Sequence, residues 1–243
     1  MLKYYILIII ILLLIILKYT NLLKASKAIF FILYTETKAF QNLIKKKNLF
    51  NYNEILKNKL NTKIKKYEKS YNLSKNKTIF LVNHRSWADF WLDNIILKGT
   101  YISRKEVQYV LPFGCKLAKK CNSIIFFNRN IKNKKTKEKL YDDIKNNLNN
   151  NRNIILYPEG TRNTSNKSKP LKFGIIKLGY QENVPFQICI VSNKEKVLNE
   201  KKLLIGKNIN CEYYVSEIIH PKDYKTLEEF IDVIQKKWDE SWN

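Results

Sequence analysis

Short apolar runs that each stop at a chemically capable residue constrain this chain more than any other feature. Thr78 to Val82 is a β-branched and aromatic run ending at Asn83-His84. Ile124 to Phe127 ends at Asn128-Arg129, and Ile154 to Tyr157 ends at Pro158-Glu159. Between and after them lie stretches with helical spacing: Trp87 to Leu97, Phe113 to Lys120, the polar Lys134 to Asn149, and Ile175 to Tyr180. Val107 to Leu111 also reads as a strand, Val184 to Val191 as the most apolar one, and Cys211 to Ile219 as one or two more at the sheet's edge. Thr226 opens a last helix, with Glu229 three residues on as a capping box and Leu227, Phe230, Ile231, Ile234 and Trp238 along one face. Strand and helix alternating in this way predict an α/β sheet covered on both sides by helices. In such sheets ligands bind beyond the carboxyl ends of the strands. His84, Arg129 and Glu159 are therefore expected to share one edge.

The chemistry of those residues is coherent. An imidazole titrates near neutral pH, and a carboxylate on its far nitrogen fixes the tautomer and stabilises the imidazolium formed when a proton is taken. His84 with Asp89 five positions later is such a pair, and the chain has only two histidines. Tyr157-Pro158-Glu159-Gly160-Thr161-Arg162 supplies a glycine-opened turn with a guanidinium beside it. Together the two motifs predict chemistry on a phosphorylated alcohol. The other histidine, His220 before Pro221, reads as a surface turn residue.

Composition narrows the partners. A formal charge of +24 suggests an anionic partner, but the excess is almost all lysine, spread throughout, and the chain has five arginines and no aromatic-basic recognition motif. Base readout has little to work with, so no nucleic acid is expected. A diffuse lysine excess suits an anionic lipid surface, which needs no geometry. Cys115, Cys121, Cys189 and Cys211 lack the paired short spacing of a zinc knuckle or redox dithiol. Reduced, buried thiols are expected, with no metal and no cofactor.

The N-terminus carries a separate signal. From Tyr4 to Leu17 no residue is charged and nearly all are Ile or Leu, flanked by Lys3 and Lys18. Counted from Met1, a helix rising ~1.5 Å per residue reaches roughly 25 Å, slightly short of the ~30 Å hydrocarbon thickness. Lysine snorkelling would close the gap. A cleaved signal peptide is the rival reading, although no small-x-small site follows closely. Leu22 to Tyr34 places Leu22, Leu23, Ile29, Phe30 and Leu33 near one face, as an interfacial helix would. Residues 1–35 thus read as a membrane-anchoring hairpin or a span plus a surface helix, 36–76 as a charged connecting segment, and 77–243 as the catalytic domain.

Asn83-His84 with Asp89, Phe126-Phe127-Asn128-Arg129, Pro158-Glu159-Gly160-Thr161-Arg162, and Val184-Pro185 resemble, in order and spacing, the four blocks of the glycerolipid acyltransferase family, and most of all its 1-acylglycerol-3-phosphate acyltransferases. The resemblance covers roughly residues 78–193. It implies a mixed, largely parallel sheet flanked by helices, with an N-terminal membrane helix or helices and a membrane location. It implies acyl transfer from acyl-CoA, a co-substrate, to a lysophospholipid acceptor, lysophosphatidic acid above all, with phosphatidic acid as product. His84 would deprotonate the acceptor hydroxyl and Asp89 would orient it. Arg129 and Arg162 would clamp the acceptor phosphate, with Glu159, Gly160 and Thr161 in the same turn and Lys172 in support. Asn128 stands where many relatives have aspartate, and Leu171 where many have an aromatic residue before the lysine. Another lysophospholipid or glycerol-3-phosphate as acceptor, an acyl-carrier protein as donor, a non-catalytic lipid-binding protein, and a serine or cysteine lipid hydrolase are the alternatives.

Overall fold

The computed structural model describes residues 2–75, 77–128 and 134–242. In chain order the elements are α1 (Leu2–Ile44), α2 (Leu49–Lys59), β1 (Lys63–Lys66), β2 (Ile79–Val82), α3 (Asp89–Leu97), β3 (Thr100–Arg104), α4 (Val107–Val110), α5 (Pro112–Lys120) and β4 (Ile124–Phe127). They continue as α6 (Lys134–Asn149), β5 (Ile154–Leu156), α7 (Gly174–Gln181), β6 (Phe186–Val191), α8 (Lys194–Val197), β7 (Leu198–Asn199), β8 (Leu204–Ile205), β9 (Asn210–Val215) and α9 (Leu227–Glu240).

Seven strands form one sheet in the order β1-β9-β6-β2-β5-β3-β4. Every pairing is parallel except β6 with β9. Strands β2 and β5, covered on both faces, are continuous apolar runs, as parallel strands buried on two sides must be. Alternate residues serve opposite layers. Phe80, Val82, Ile155 and Tyr101 meet Leu56 of α2, Leu92 of α3 and Leu117 of α5. Ile79, Leu81, Ile154 and Leu156 meet Ile144 of α6, Ile176 of α7, and Phe230, Ile234 and Trp238 of α9. The α/β expectation, helices on both faces of a mostly parallel sheet, is what the chain forms.

Three elements differ from the sequence reading. Val107 to Leu111, expected as a strand, is the short helix α4, and the strand is Thr100–Arg104. Pro112 disfavours helical backbone in the residue before it, and Leu111 breaks α4 from α5 at φ −127°, ψ 64°. The segment 36–76 contributes Lys63–Lys66 as the edge strand, paired in parallel with β9, so β9 is not the edge. In place of a hairpin or two separate helices, residues 2–44 form one helix of 43 residues. Its second half docks on the domain through Ala39 and the buried Thr35 and Asn42. Glu36 accepts the backbone N–H of Phe113 at 2.7 Å and of Gly114 at 3.2 Å, capping α5. Among the described residues no helix is long and apolar enough to cross a membrane. Ile9, Ile10, Ile11, Leu12, Leu14 and Ile15 of α1 are all exposed.

Candidate active site

Strand β2 ends at Val82, and the next side chain stitches two strand ends together. Asn83 donates from Nδ2 to the Val191 carbonyl at 2.9 Å and accepts the Val191 N–H at 3.0 Å. With Asn83 pinned, the chain turns through His84 to Ala88 into α3. Asp89, fully buried in the first turn of that helix, folds back and gathers the donors of the turn. It accepts the N–H of Arg85 at 2.7 Å and of Ser86 at 3.1 Å, while His84 Nδ1 lies 2.5 Å from Asp89 Oδ2. Burial opposes ionisation of Asp89, but Lys194, His84 and the Arg85 N–H more than offset it and hold the carboxyl below its usual range. An ionised carboxylate only accepts, so Nδ1 carries the hydrogen. That leaves the lone pair on Nε2, where a base needs it.

A buried charge cluster stands behind this pair. Lys194, the first residue of α8, is completely buried beyond the end of β6. Its ammonium donates to the Asn83 carbonyl at 2.6 Å and to Asp93 Oδ1 and Oδ2 at 3.0 and 2.9 Å, and lies 3.4 Å from Asp89 Oδ1. Tyr157 donates from its hydroxyl to Asp93 at 3.0 Å, and its ring stacks on His84 with centroids 4.5 Å apart. Burial pushes Asp93 up to about 7, against the pull of Lys194. The loop from His84 through Asp89, Lys194, Asp93 and Tyr157 back to His84 is closed. Sequence reasoning missed Lys194 and Asp93. A lysine in the Asn-Lys-Glu-Lys run reads as solvated, and only Asp93's four-residue spacing from Asp89 on one helix face hinted at a partner.

The second motif lies against the first, because Asn163 donates its N–H to the His84 carbonyl at 2.7 Å. Glu159 is buried. One oxygen accepts from Asn163 Nδ2 and Lys169 N–H, both at 3.0 Å, and the other has no hydrogen-bond partner among the described residues. Gly160 turns in the left-handed region at φ 68°, and a Cβ there would lie 2.7 Å from Lys172 Nζ. Lys172 is therefore beside the turn, and Thr161 is exposed on it. Arg162 is ion-paired with Glu200 of the β7–β8 connection. Burial lowers its pKa, the field of Asp89 raises it, and that of Arg104 lowers it, so Arg162 lies within the electrostatic reach of both. Arg104 ends β3 and was not singled out in the sequence, where nothing marks it as the terminus of a strand. Arg129 lies outside the described residues. Strand β4, which ends two residues before it in the sequence, pairs with β3, Phe127 opposite Arg104.

Beside this edge an apolar cavity of about 240 Å³ lies between α1 and the sheet. Phe31 and Ile32 of α1, Trp91, Tyr101, and Leu203 and Leu204 contribute to its wall. Trp87 of the His84 turn and Glu200, the partner of Arg162, also line it.

The sequence matches the family described as Acyltransferase over residues 62–192, more than half of the chain. It is 30% identical over 134 residues to the 1-acyl-sn-glycerol-3-phosphate acyltransferase of Saccharomyces cerevisiae, a match covering 54% of this chain and 43% of that one. The chain thus aligns with less than half the length of that relative. The crystal structure of the 1-acyl-sn-glycerophosphate (LPA) acyltransferase PlsC from Thermotoga maritima superposes with a TM-score of 0.61 at 15% identity, over 88% of this chain and 79% of that one. That likeness shows a common fold. With the matched region containing β2, the His84 turn, the Glu159 to Arg162 turn and β6, the chain belongs to the Acyltransferase family.

Proposed function

We propose that the protein transfers a fatty acyl group from acyl-CoA to the free hydroxyl of lysophosphatidic acid, forming phosphatidic acid. His84 Nε2 takes the hydroxyl proton, and the alkoxide oxygen attacks the thioester carbonyl. The new C–O bond forms as the C–S bond breaks, and the proton held on His84 passes to the departing thiolate. Asp89 keeps the ring in the productive tautomer and stabilises its charged form. Arg162 and Arg104, with Arg129 as the family resemblance implies, supply guanidinium forks for the acceptor phosphate. Glu159 holds the turn and offers a free carboxylate oxygen to the acceptor, Gly160 lets the backbone come close, and Thr161 and Lys172 add donors at the rim.

The observation that carries this reading is the adjacency of a hydrogen-bonded His84–Asp89 pair, an arginine turn and an apolar cavity lined by Trp87 of the His84 turn and by Glu200, the ion-pair partner of Arg162. A cavity with almost no polar surface suits an alkyl chain. The acyltransferase names of the relatives support the same class of chemistry. A hydrolase using Cys115, Cys189 or Cys211 is disfavoured, since burial pushes the Cys115 thiol up to about 11, the Cys211 thiol up to about 12 and the Cys189 thiol higher still.

The exposed apolar start of α1 supports a membrane location. Residues 4–17 form an uncharged run of roughly 21 Å at ~1.5 Å per residue, which suits insertion into one leaflet better than a full crossing. The cavity wall borrowed from α1 then sits where lipid substrates arrive. The test is to offer purified protein in detergent a panel of lysophospholipids with labelled acyl-CoA and to identify the product by mass spectrometry. Acylated lysophosphatidic acid is the expected product. A panel without any acylated lysophospholipid, or a trappable acyl-enzyme, would overturn the proposal.

A further inference from the structure

We infer that Lys194 is a positioning residue for this reaction: its buried ammonium, clamped between Asp93 and Asp89, fixes both carboxylates behind His84 and sets the charge against which the base works. The inference rests on the acyl-transfer reading and deepens it at the same site.

The geometry makes Lys194 the hub of the cluster. Its ammonium reaches the carbonyl of Asn83, the residue before the base, and both oxygens of Asp93, and lies within ion-pair distance of Asp89. Its own carbonyl accepts the Ser86 hydroxyl at 3.1 Å, so α8 also ties down the His84 turn. Asp93 in turn accepts from Tyr157, whose ring stacks on the imidazole. Two paths, one electrostatic through Asp89 and one steric through Asp93 and Tyr157, converge on the ring of His84. Burying an ammonium beside two carboxyl groups is costly, and apolar residues would fill the space as well or better. That cost points to a role beyond stability.

The charged and titratable groups that face Lys194 are few. Asp89 and Asp93 come from α3, Tyr157 from the end of β5, Cys189 from β6 and Cys211 from β9, while Tyr101 of β3 couples to the two aspartates. Arg162 also feels the field of Asp89. Net charge at the cluster is thus set by two carboxylates, one ammonium and the imidazole. Removing the ammonium raises the cluster's affinity for a proton, and whether His84 or Asp89 takes it, the base is lost. Removing one carboxylate lowers that affinity.

The test is the pH profile of kcat/KM for the full-length protein carrying Lys194→Met, Asp93→Asn or both, with His84→Ala in the same assay. Lys194→Met is expected to lose at least tenfold in kcat with the acceptor KM changed less than threefold, and its acid limb moves to higher pH. Asp93→Asn moves the limb to lower pH, and the double variant returns it towards wild type. Should Lys194→Met fail to fold, Lys194→Gln, which also removes the ammonium but keeps a donor, carries the test in its place. Acid limbs that stay at the wild-type pH in every folded variant would overturn the role of Lys194. Undiminished activity in His84→Ala would instead overturn the acyl-transfer mechanism itself.

Discussion

At His84 the ring nitrogen that faces Asp89 is committed, so the chemistry rests on the other one. Replacing the imidazole should lower kcat by ~10²- to 10⁴-fold. Because the His84 side chain is only partly buried, far-UV circular dichroism and the denaturation midpoint of His84→Ala should stay near wild type. An arginine that grips the acceptor phosphate holds ground state and transition state alike, so Arg162→Ala and Arg104→Ala should each raise the acceptor KM and change kcat little. Initial rates over a range of lysophosphatidic acid check both, and an unchanged KM would remove that arginine from the phosphate site. Asp93 makes a prediction about stability. Its carboxyl is pushed above the ordinary range to about 7, so from about pH 4 to pH 7 the folded protein holds a proton that the unfolded chain has released. Stability from this group falls as pH rises through that window. The urea midpoint of Asp93→Asn relative to wild type should therefore improve between about pH 4 and pH 7. At this scale His84, Asp89 and the Glu159 to Arg162 turn were legible, because their spacing along the chain is itself the signal. Lys194, Asp93 and Arg104 were not, because each depends on a neighbour about 60 or more residues away along the chain.

Among the elements, α7 shows how tightly the helical layer sits on the sheet. A Cβ on Gly179 would lie 2.7 Å from Ile79 Cδ1 and closer still to the Phe186 ring. Gly179→Ala should cost ~1–3 kcal/mol through overpacking, read as a lower denaturant midpoint at unchanged slope. The last helix was readable in detail. Thr226 accepts the Glu229 N–H at 3.2 Å as expected, although the Glu229 carboxylate returns to the Lys225 N–H, one residue earlier than the cap itself. Two strands escaped the sequence for different reasons. Lys63–Lys66 has one apolar residue among three lysines, a composition that protects a sheet edge from pairing with other chains but carries no apolar alternation to detect. Thr100–Arg104 lost to the more apolar Val107 to Leu111, which the turn before Pro112 winds into a helix.

For the whole molecule, the long helix and the charge decide the setting. A carboxylate placed in the apolar half of α1, as in Leu12→Asp, should cost ~2.5–3.5 kcal/mol of insertion, or roughly a hundredfold in partitioning to phospholipid vesicles. Sedimentation with vesicles checks this, and equal binding of the variant would place the membrane contact elsewhere. With a net charge of +24, binding to anionic vesicles should weaken as salt rises and the Debye length shrinks. What the sequence determined alone was what is written in local order: the period of most of the buried strands and helices, the apolar N-terminal run, and the two motifs whose residues touch through short turns. Tertiary structure alone decided the strand order that brings β2, β3, β5 and β6 to a common edge, the continuity of α1 into the wall of the cavity, and the burial of Lys194 between two aspartates. The reason is physical: hydrogen bonds within turns and helices act over a few residues, whereas the field at a buried ammonium is set by whichever distant strands the sheet places around it.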